Sequence, residues 1–144
     1  MLLHYIDRDQ YRRKNHPSFV RKLAEEFGRC FILPEGGSNI PGVKGCTEIV
    51  TEIKVDYDVI TCCCGTGATL AGIVAGLDGE KYAIGFPVLK GGQFLNHEVR
   101  SFIHQYNEKA YLNWHLKTEY HMGGYARYTA DLIQFINGFR EAHK

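Results

Sequence analysis

A chain of 144 residues suits a single domain, residues 1–144, and its apolar share of 44% is enough to build a buried core. With 17 Lys and Arg residues against 16 Asp and Glu residues, the chain has no net field that would attract nucleic acid or an acidic membrane surface. We recognise no signal peptide and no run of membrane-spanning length, and therefore expect a cytoplasmic protein with no nucleic-acid or membrane partner.

Short apolar runs alternate along the chain with segments of helical periodicity, which is the pattern of a parallel sheet with crossover helices. The sequence therefore predicts a three-layer α/β fold, with a mostly parallel sheet and helices on both faces. In chain order, the predicted strands are 2–6, 30–35, 57–64, 81–88 and 110–116, and the predicted helices are 17–28, 39–53, 69–77, 94–107 and about 128–142. The run 57–64 has no polar alternation, so we expect this strand near the middle of the sheet, covered on both faces.

The stretch CCCGTGATLAG, residues 62–72, joins that strand to the next helix. Unpaired N–H groups and the positive end of the helix dipole meet at such a turn, and glycines let an anion approach the backbone closely. A phosphate site is therefore favoured, although a tight turn would also explain the glycines. The residues concerned are Gly65, Thr66, Gly67, Ala68 and Thr69.

The common nucleotide motifs do not fit this turn. No Lys-Ser/Thr pair follows it, and Leu70 occupies the last glycine position of the dinucleotide fingerprint, which leaves a smaller phosphorylated cofactor. The cysteines at 62–64 alternate between the two faces of a strand and cannot converge on one metal, so we expect inert, buried thiols. The scattered histidines likewise predict no metal site.

Three stretches together resemble the 1-aminocyclopropane-1-carboxylate deaminase and D-cysteine desulfhydrase family. They are FILPEGGSNIPGVKGCTEIV (31–50), YDVITCCCGTGATLAGIVAGL (57–77) and YHMGGYARYTADLIQFI (120–136). Members of this family are fold-type II pyridoxal-phosphate enzymes, related to the tryptophan synthase β chain. The resemblance implies that the turn 65–69 holds the phosphate of pyridoxal 5'-phosphate, and that the substrate is a small amino acid.

The resemblance also assigns roles to three side chains. Tyr125 would lie beside the substrate, where its phenol can bind a carboxylate or pass a proton; without the resemblance it is an ordinary loop tyrosine. Ser38 and Asn39 would lie on the substrate side of the sheet, at the carboxyl end of a strand, with a helix cap as the alternative role.

Members of the family carry their Schiff-base lysine ahead of the region that resembles this chain, and they continue beyond it. The resemblance therefore implies that the chain is the central fragment of a longer enzyme, and Lys44, inside the second helix, is a poor substitute for that lysine. Two functions stay open: a pyridoxal-phosphate-dependent deaminase or lyase, and a catalytically inactive phosphate-binding domain or partner-dependent fragment. Apolar surface left uncovered in a fragment predicts a homo-oligomer.

Overall fold

The structure is a computed structural model that describes residues 3–124 and 126–143. The chain divides between Leu33 and Pro34 into two compact units, which are described separately below. The organisation as a single domain stays a prediction.

The described part of the first unit, residues 3–33, contains two helices, α1 (Arg8–Arg12) and α2 (Pro17–Phe27). A capping box begins α1, because Asp7 accepts a hydrogen bond from the N–H of Gln10 at 2.8 Å while the Gln10 side chain accepts one from the N–H of Asp7 at 3.0 Å. Proline at the first position of α2 is compatible with a helix start, and Gly28, whose φ is +67°, is the C-cap that follows Phe27. The helix predicted at 17–28 is confirmed.

Two strands predicted in the first third of the chain are wrong. Residues 3–6 and 30–34 are irregular, and residue 35 begins a 3-10 turn. Phe31 is 76% exposed and Leu33 is 68% exposed, although both lie in an apolar run of high strand propensity. A strand needs a neighbour for its backbone N–H and C=O groups, and no described strand is hydrogen-bonded to either segment.

The second unit alternates helices and strands as the sequence predicts. Its elements are α3 (Ile40–Glu52), β1 (Val59–Cys64), α4 (Ala68–Leu77), β2 (Tyr82–Pro87), α5 (Leu95–Asn107), β3 (Trp114–Leu116) and α6 (Ala130–Ala142), with 3-10 turns at Glu35–Gly37 and Gly92–Phe94. The three described strands form one sheet in the order β1-β2-β3, and both neighbouring pairs are parallel. The α/β class, with a parallel sheet flanked by helices, is confirmed.

The placement of β1 in the middle of the sheet is wrong. The central described strand is β2, and β1 lies at an edge, where Val59, Thr61 and Cys63 are exposed on one face while Cys64 is buried on the other. An apolar run predicts a strand, but it does not specify how many other strands pair with that strand.

The core of the second unit lies between the sheet and α4, which is buried along most of its length. Gly85 of β2 marks a close approach, because a Cβ at this glycine would lie 2.5 Å from Cδ2 of Leu70 and 2.7 Å from Sγ of Cys64. Val43 of α3 and Val99 of α5 complete the same cluster. The opposite face of the sheet carries side chains such as Tyr82, which is exposed, and a second helix layer there stays a prediction.

Candidate functional site

The turn between β1 and α4 borders a cavity of about 220 Å³ at the carboxyl end of β1. This is the end of a parallel sheet at which α/β proteins bind ligands. The lining offers backbone groups, two threonine hydroxyls and thiols, with no charged side chain among them. The lining residues are Gly36, Cys63, Cys64, Gly65, Thr66, Gly67, Thr69 and Leu70.

The start of α4 leaves several backbone donors available at this cavity. The first intrahelical hydrogen bond runs from the N–H of Ala71 to the carbonyl of Gly67 at 2.9 Å, and no side chain caps the helix. The N–H groups of the first turn, including those of Thr69 and Leu70, therefore have no acceptor within the helix. These N–H groups lie at the positive end of the helix dipole, and that end of a helix attracts anions.

Gly67 is required by the geometry of the turn. Its φ is +90°, which side chains rarely adopt, and a Cβ would lie 3.0 Å from Cγ2 of Val99 on α5. Gly65 has open space around its Cβ position. Gly67 therefore permits the turn, whereas Gly65 leaves room at the cavity.

The 3-10 turn Glu35–Gly37 brings the motif EGGSN, residues 35–39, to the same cavity. Gly36 lines the cavity, with φ at +65°, and a Cβ there would lie 2.9 Å from Oγ1 of Thr66. The hydroxyl of Ser38 donates a hydrogen bond to Oγ1 of Thr66 at 2.5 Å. The sequence placed residues 35–39 on the ligand side of the sheet without singling out Gly36, although the double glycine before Ser38 is a signal that the backbone approaches another group closely.

Asn39 has a structural partner instead. Its Oδ1 accepts a hydrogen bond from the N–H of Gly42 at 2.8 Å, so Asn39 is the N-cap of α3 and is absent from the cavity lining. The capping role that the sequence left open is therefore present in the structure. Substrate-side roles for Ser38 and Asn39 stay predictions.

Tyr125 lies outside the described residues, and its place beside a substrate stays a prediction. The two glycines that precede it, Gly123 and Gly124, both have positive φ, at +89° and +155°. The chain before Tyr125 thus follows a path that side chains rarely permit.

The three adjacent cysteines differ in exposure, so the expectation of three buried thiols is wrong for two of them. Cys64 is buried, Cys62 is half-buried and Cys63 is exposed at the cavity. Sγ of Cys62 lies 3.9 Å from Sγ of Cys64. This hydrogen bond, together with burial, raises the pKa of the Cys62 thiol, which stays protonated at neutral pH.

The donors at the cavity fit the phosphate end of a cofactor. Orphan amides and hydroxyls are the donors that a phosphate dianion needs. No lysine is among the residues that line the cavity, and Lys44 lies on an exposed position of α3. Within 3–124 and 126–143, no three His, Cys, Asp or Glu side chains are grouped as metal ligands. Over the same residues, no helix is both long and apolar enough to cross a bilayer.

The fold and site thus define an α/β protein with a cavity and an uncapped helix start at the turn between a parallel strand and a helix. Comparison with known proteins gives its relatives. No protein-family model matches the chain. A protein of Pyrococcus furiosus named "Putative 1-aminocyclopropane-1-carboxylate deaminase" is 31% identical over 147 residues, covering 92% of this chain and 45% of the relative. A Pyrococcus horikoshii protein of the same name is 27% identical over 139 residues, covering 85% of this chain and 43% of the relative.

The bifunctional D-cysteine desulfhydrase/1-aminocyclopropane-1-carboxylate deaminase of Arabidopsis thaliana mitochondria is 30% identical over 87 residues, which cover 51% of this chain and 22% of that protein. A crystal structure of an ACC deaminase homologue superposes with a TM-score of 0.74 at 26% identity, covering 96% of this chain and 46% of that one. By sequence and fold, the chain is similar to homologues of 1-aminocyclopropane-1-carboxylate deaminase, and the resemblance is confirmed. The chain spans less than half the length of the Pyrococcus relatives that it matches.

Proposed function

We propose that the chain supplies the phosphate-binding part of a pyridoxal-phosphate-dependent deaminase or lyase that acts on a small amino acid. The reaction would convert 1-aminocyclopropane-1-carboxylate to 2-oxobutyrate and ammonia, or D-cysteine to pyruvate, sulfide and ammonia. The uncapped start of α4, at a cavity with two threonine hydroxyls, is the observation that carries this proposal. The names of the relatives support the reaction class.

Each residue of the turn has a distinct task in this proposal. The amides at the start of α4 and the hydroxyls of Thr66 and Thr69 donate hydrogen bonds to the phosphate. Gly65 keeps the backbone open to the anion, and Gly67 holds the left-handed conformation that aims the amides at it. Pyridoxal 5'-phosphate, when bound, would supply the electron sink for amino-acid deamination.

We also propose that the lysine that bonds to the cofactor is not among the residues around this cavity. The lining has no lysine, and Lys44 lies on an exposed face of α3. The chain would then act as the central portion of a larger active site, in a protein that forms homo-oligomers. The same observation favours a second candidate, a phosphate-binding domain without catalytic activity of its own.

Binding of pyridoxine 5'-phosphate tests the proposal without the aldehyde that reacts with surface lysines. We expect this ligand to bind the 144-residue chain at least about tenfold more tightly than pyridoxine, because charge-assisted hydrogen bonds to the phosphate are each worth about 1.5–3 kcal/mol. Thr69→Val removes one hydroxyl at nearly constant shape and should weaken binding by about tenfold or more. Isothermal titration calorimetry measures all of these affinities.

Thr51→Val is the matched control, because Thr51 lies in α3 outside the cavity and donates to the carbonyl of Glu48. The affinity of the Thr51→Val variant for pyridoxine 5'-phosphate should equal that of the wild type. Gly67→Val should abolish binding, with circular dichroism used to check that the variant folds. Equal affinity for pyridoxine and its phosphate, or an equal loss in both threonine variants, would contradict the proposal.

A further inference from the structure

We infer that Ser38 is a positioning residue of the phosphate site, which orients the hydroxyl of Thr66 so that its proton points to the anion. This inference rests on the proposed function of the turn. It assigns Ser38 to the phosphate side of the site, whereas its motif was expected on the substrate side.

The contact that carries the inference joins segments 28 positions apart in the sequence. Ser38 Oγ lies 2.5 Å from Oγ1 of Thr66, which is short for a hydrogen bond between hydroxyls, and both side chains are half-buried. Ser38 does not itself line the cavity, while Thr66 does. Any influence of Ser38 on an anion in this cavity therefore passes through Thr66.

Gly36 also packs against the Thr66 side chain. A Cβ at Gly36 would lie 2.9 Å from Oγ1 and 3.1 Å from Cγ2 of Thr66, so the backbone of the 3-10 turn packs directly against the threonine side chain. Thr66 is thus confined by the turn on one side and tied by Ser38 on the other. Its rotamer is set before a ligand arrives, which lowers the entropic cost of binding.

The direction of the hydrogen bond decides what Thr66 can do. A hydroxyl has one proton and accepts through its lone pairs. With Ser38 as the donor to Oγ1, the Thr66 proton is left for another acceptor, and Thr66 borders the cavity. If the hydrogen bond ran the other way, Thr66 would present lone pairs to a phosphate dianion and repel it.

Four variants, Ser38→Ala, Ser38→Thr, Thr66→Val and the double variant of Thr66→Val with Ser38→Ala, test this inference by affinity for pyridoxine 5'-phosphate, measured by calorimetry on the 144-residue chain. We expect Ser38→Ala to weaken binding about fivefold, the effect of losing one hydrogen bond. Ser38→Thr retains a hydroxyl and should restore most of the affinity. In a Thr66→Val background, Ser38→Ala should have no further effect, because the group through which Ser38 acts is gone.

The outcomes separate this inference from the proposed function. A wild-type chain that does not distinguish pyridoxine 5'-phosphate from pyridoxine overturns both. A wild type that does so, together with a Ser38→Ala variant of unchanged or higher affinity, overturns the inference alone. A Ser38→Ala variant that is less stable in urea but has wild-type affinity also overturns it, because Ser38 would then have only a structural role.

Discussion

Gly72 of α4 and Cys46 of α3 are in direct contact, and the two helices approach so closely that a Cβ at Gly72 would overlap with the Cβ of Cys46. The same added atom would lie 2.5 Å from the carbonyl oxygen of Val43. One turn further along α4, a Cβ at Gly76 would lie 2.7 Å from the carbonyl oxygen of Thr47. Because α3 begins just after Ser38, this packing brings the Ser38 hydroxyl close to the turn 65–69, where it contacts Thr66.

Gly72→Ala should therefore destabilise the protein, although alanine is the better helix former. Overpacking against the backbone of α3 costs about 1–3 kcal/mol, which exceeds the gain of about 0.5–1 kcal/mol from replacing a helical glycine. Urea denaturation followed by circular dichroism measures the change. Gly45→Ala is the matched control in α3, because nothing lies within 4 Å of its Cβ position, and it should stabilise the protein. If both variants were stabilised, the close contact would be contradicted.

The elements that the sequence predicted correctly are those with local signals. Asn39 caps α3, and apolar residues at helical spacing follow it; the glycine-rich turn separates β1 from α4. Segments 2–6 and 30–35 have only propensity, and whether such a run becomes a strand depends on a neighbour that local sequence does not specify. The order of strands in the sheet was not predicted for the same reason, because it depends on which strands pair and local sequence does not specify that. The contact between Ser38 and Thr66 could not be predicted either, because it depends on how α3 packs against α4.

Asn39→Ala should lower the free energy of unfolding by about 0.5–2 kcal/mol, because it removes the hydrogen bond that the N–H of Gly42 donates to Oδ1. Asn39→Asp keeps a capping oxygen and should retain most of the stability. Thermal unfolding followed by circular dichroism compares the three proteins. An alanine variant as stable as the aspartate variant would show that the cap contributes nothing.

The carboxylate of Asp78 predicts a dependence of stability on pH. It accepts hydrogen bonds from Nζ of Lys109 at 2.7 Å and from the hydroxyl of Tyr111 at 2.6 Å, and these donors hold the pKa of Asp78 below its ordinary value. The ionised form is therefore favoured in the folded state. Its contribution is complete above the unfolded pKa of about 3.9 and is lost as the pH falls through the lower folded value.

Asp78→Asn keeps a residue that tolerates the left-handed backbone at this position, where φ is +44°. We expect the variant to be less stable than the wild type at pH 7, and the difference to shrink as the pH is lowered past 4 in urea titrations. The control is Glu48→Gln, because the Glu48 side chain has no hydrogen bond or ion pair with the part of the chain that the structure describes. A constant difference between Asp78→Asn and the wild type from pH 7 to 3 would refute the role of the charge.

Cys63 provides a chemical test of where a ligand binds. Its thiol is exposed and lines the cavity, whereas Cys30 is exposed in the first unit. Saturating pyridoxine 5'-phosphate should slow the alkylation of Cys63 by iodoacetamide several-fold, because the ligand shields this wall of the cavity, and leave the rate at Cys30 unchanged. Mass spectrometry of peptides gives both rates from the same sample. Equal slowing at both thiols would indicate an effect on the reagent or on folding.

The last prediction concerns catalysis by the 144-residue chain assayed alone with pyridoxal 5'-phosphate. We expect no turnover of 1-aminocyclopropane-1-carboxylate or D-cysteine, measured as 2-oxobutyrate and sulfide, because no lysine lines the cavity that would hold the phosphate. Borohydride reduction followed by peptide mapping should label no single lysine preferentially. Turnover that persists in Lys54→Ala but disappears in Lys44→Ala would contradict this prediction. It would make Lys44 the lysine that bonds to the cofactor and require α3 to move its exposed face to the cavity.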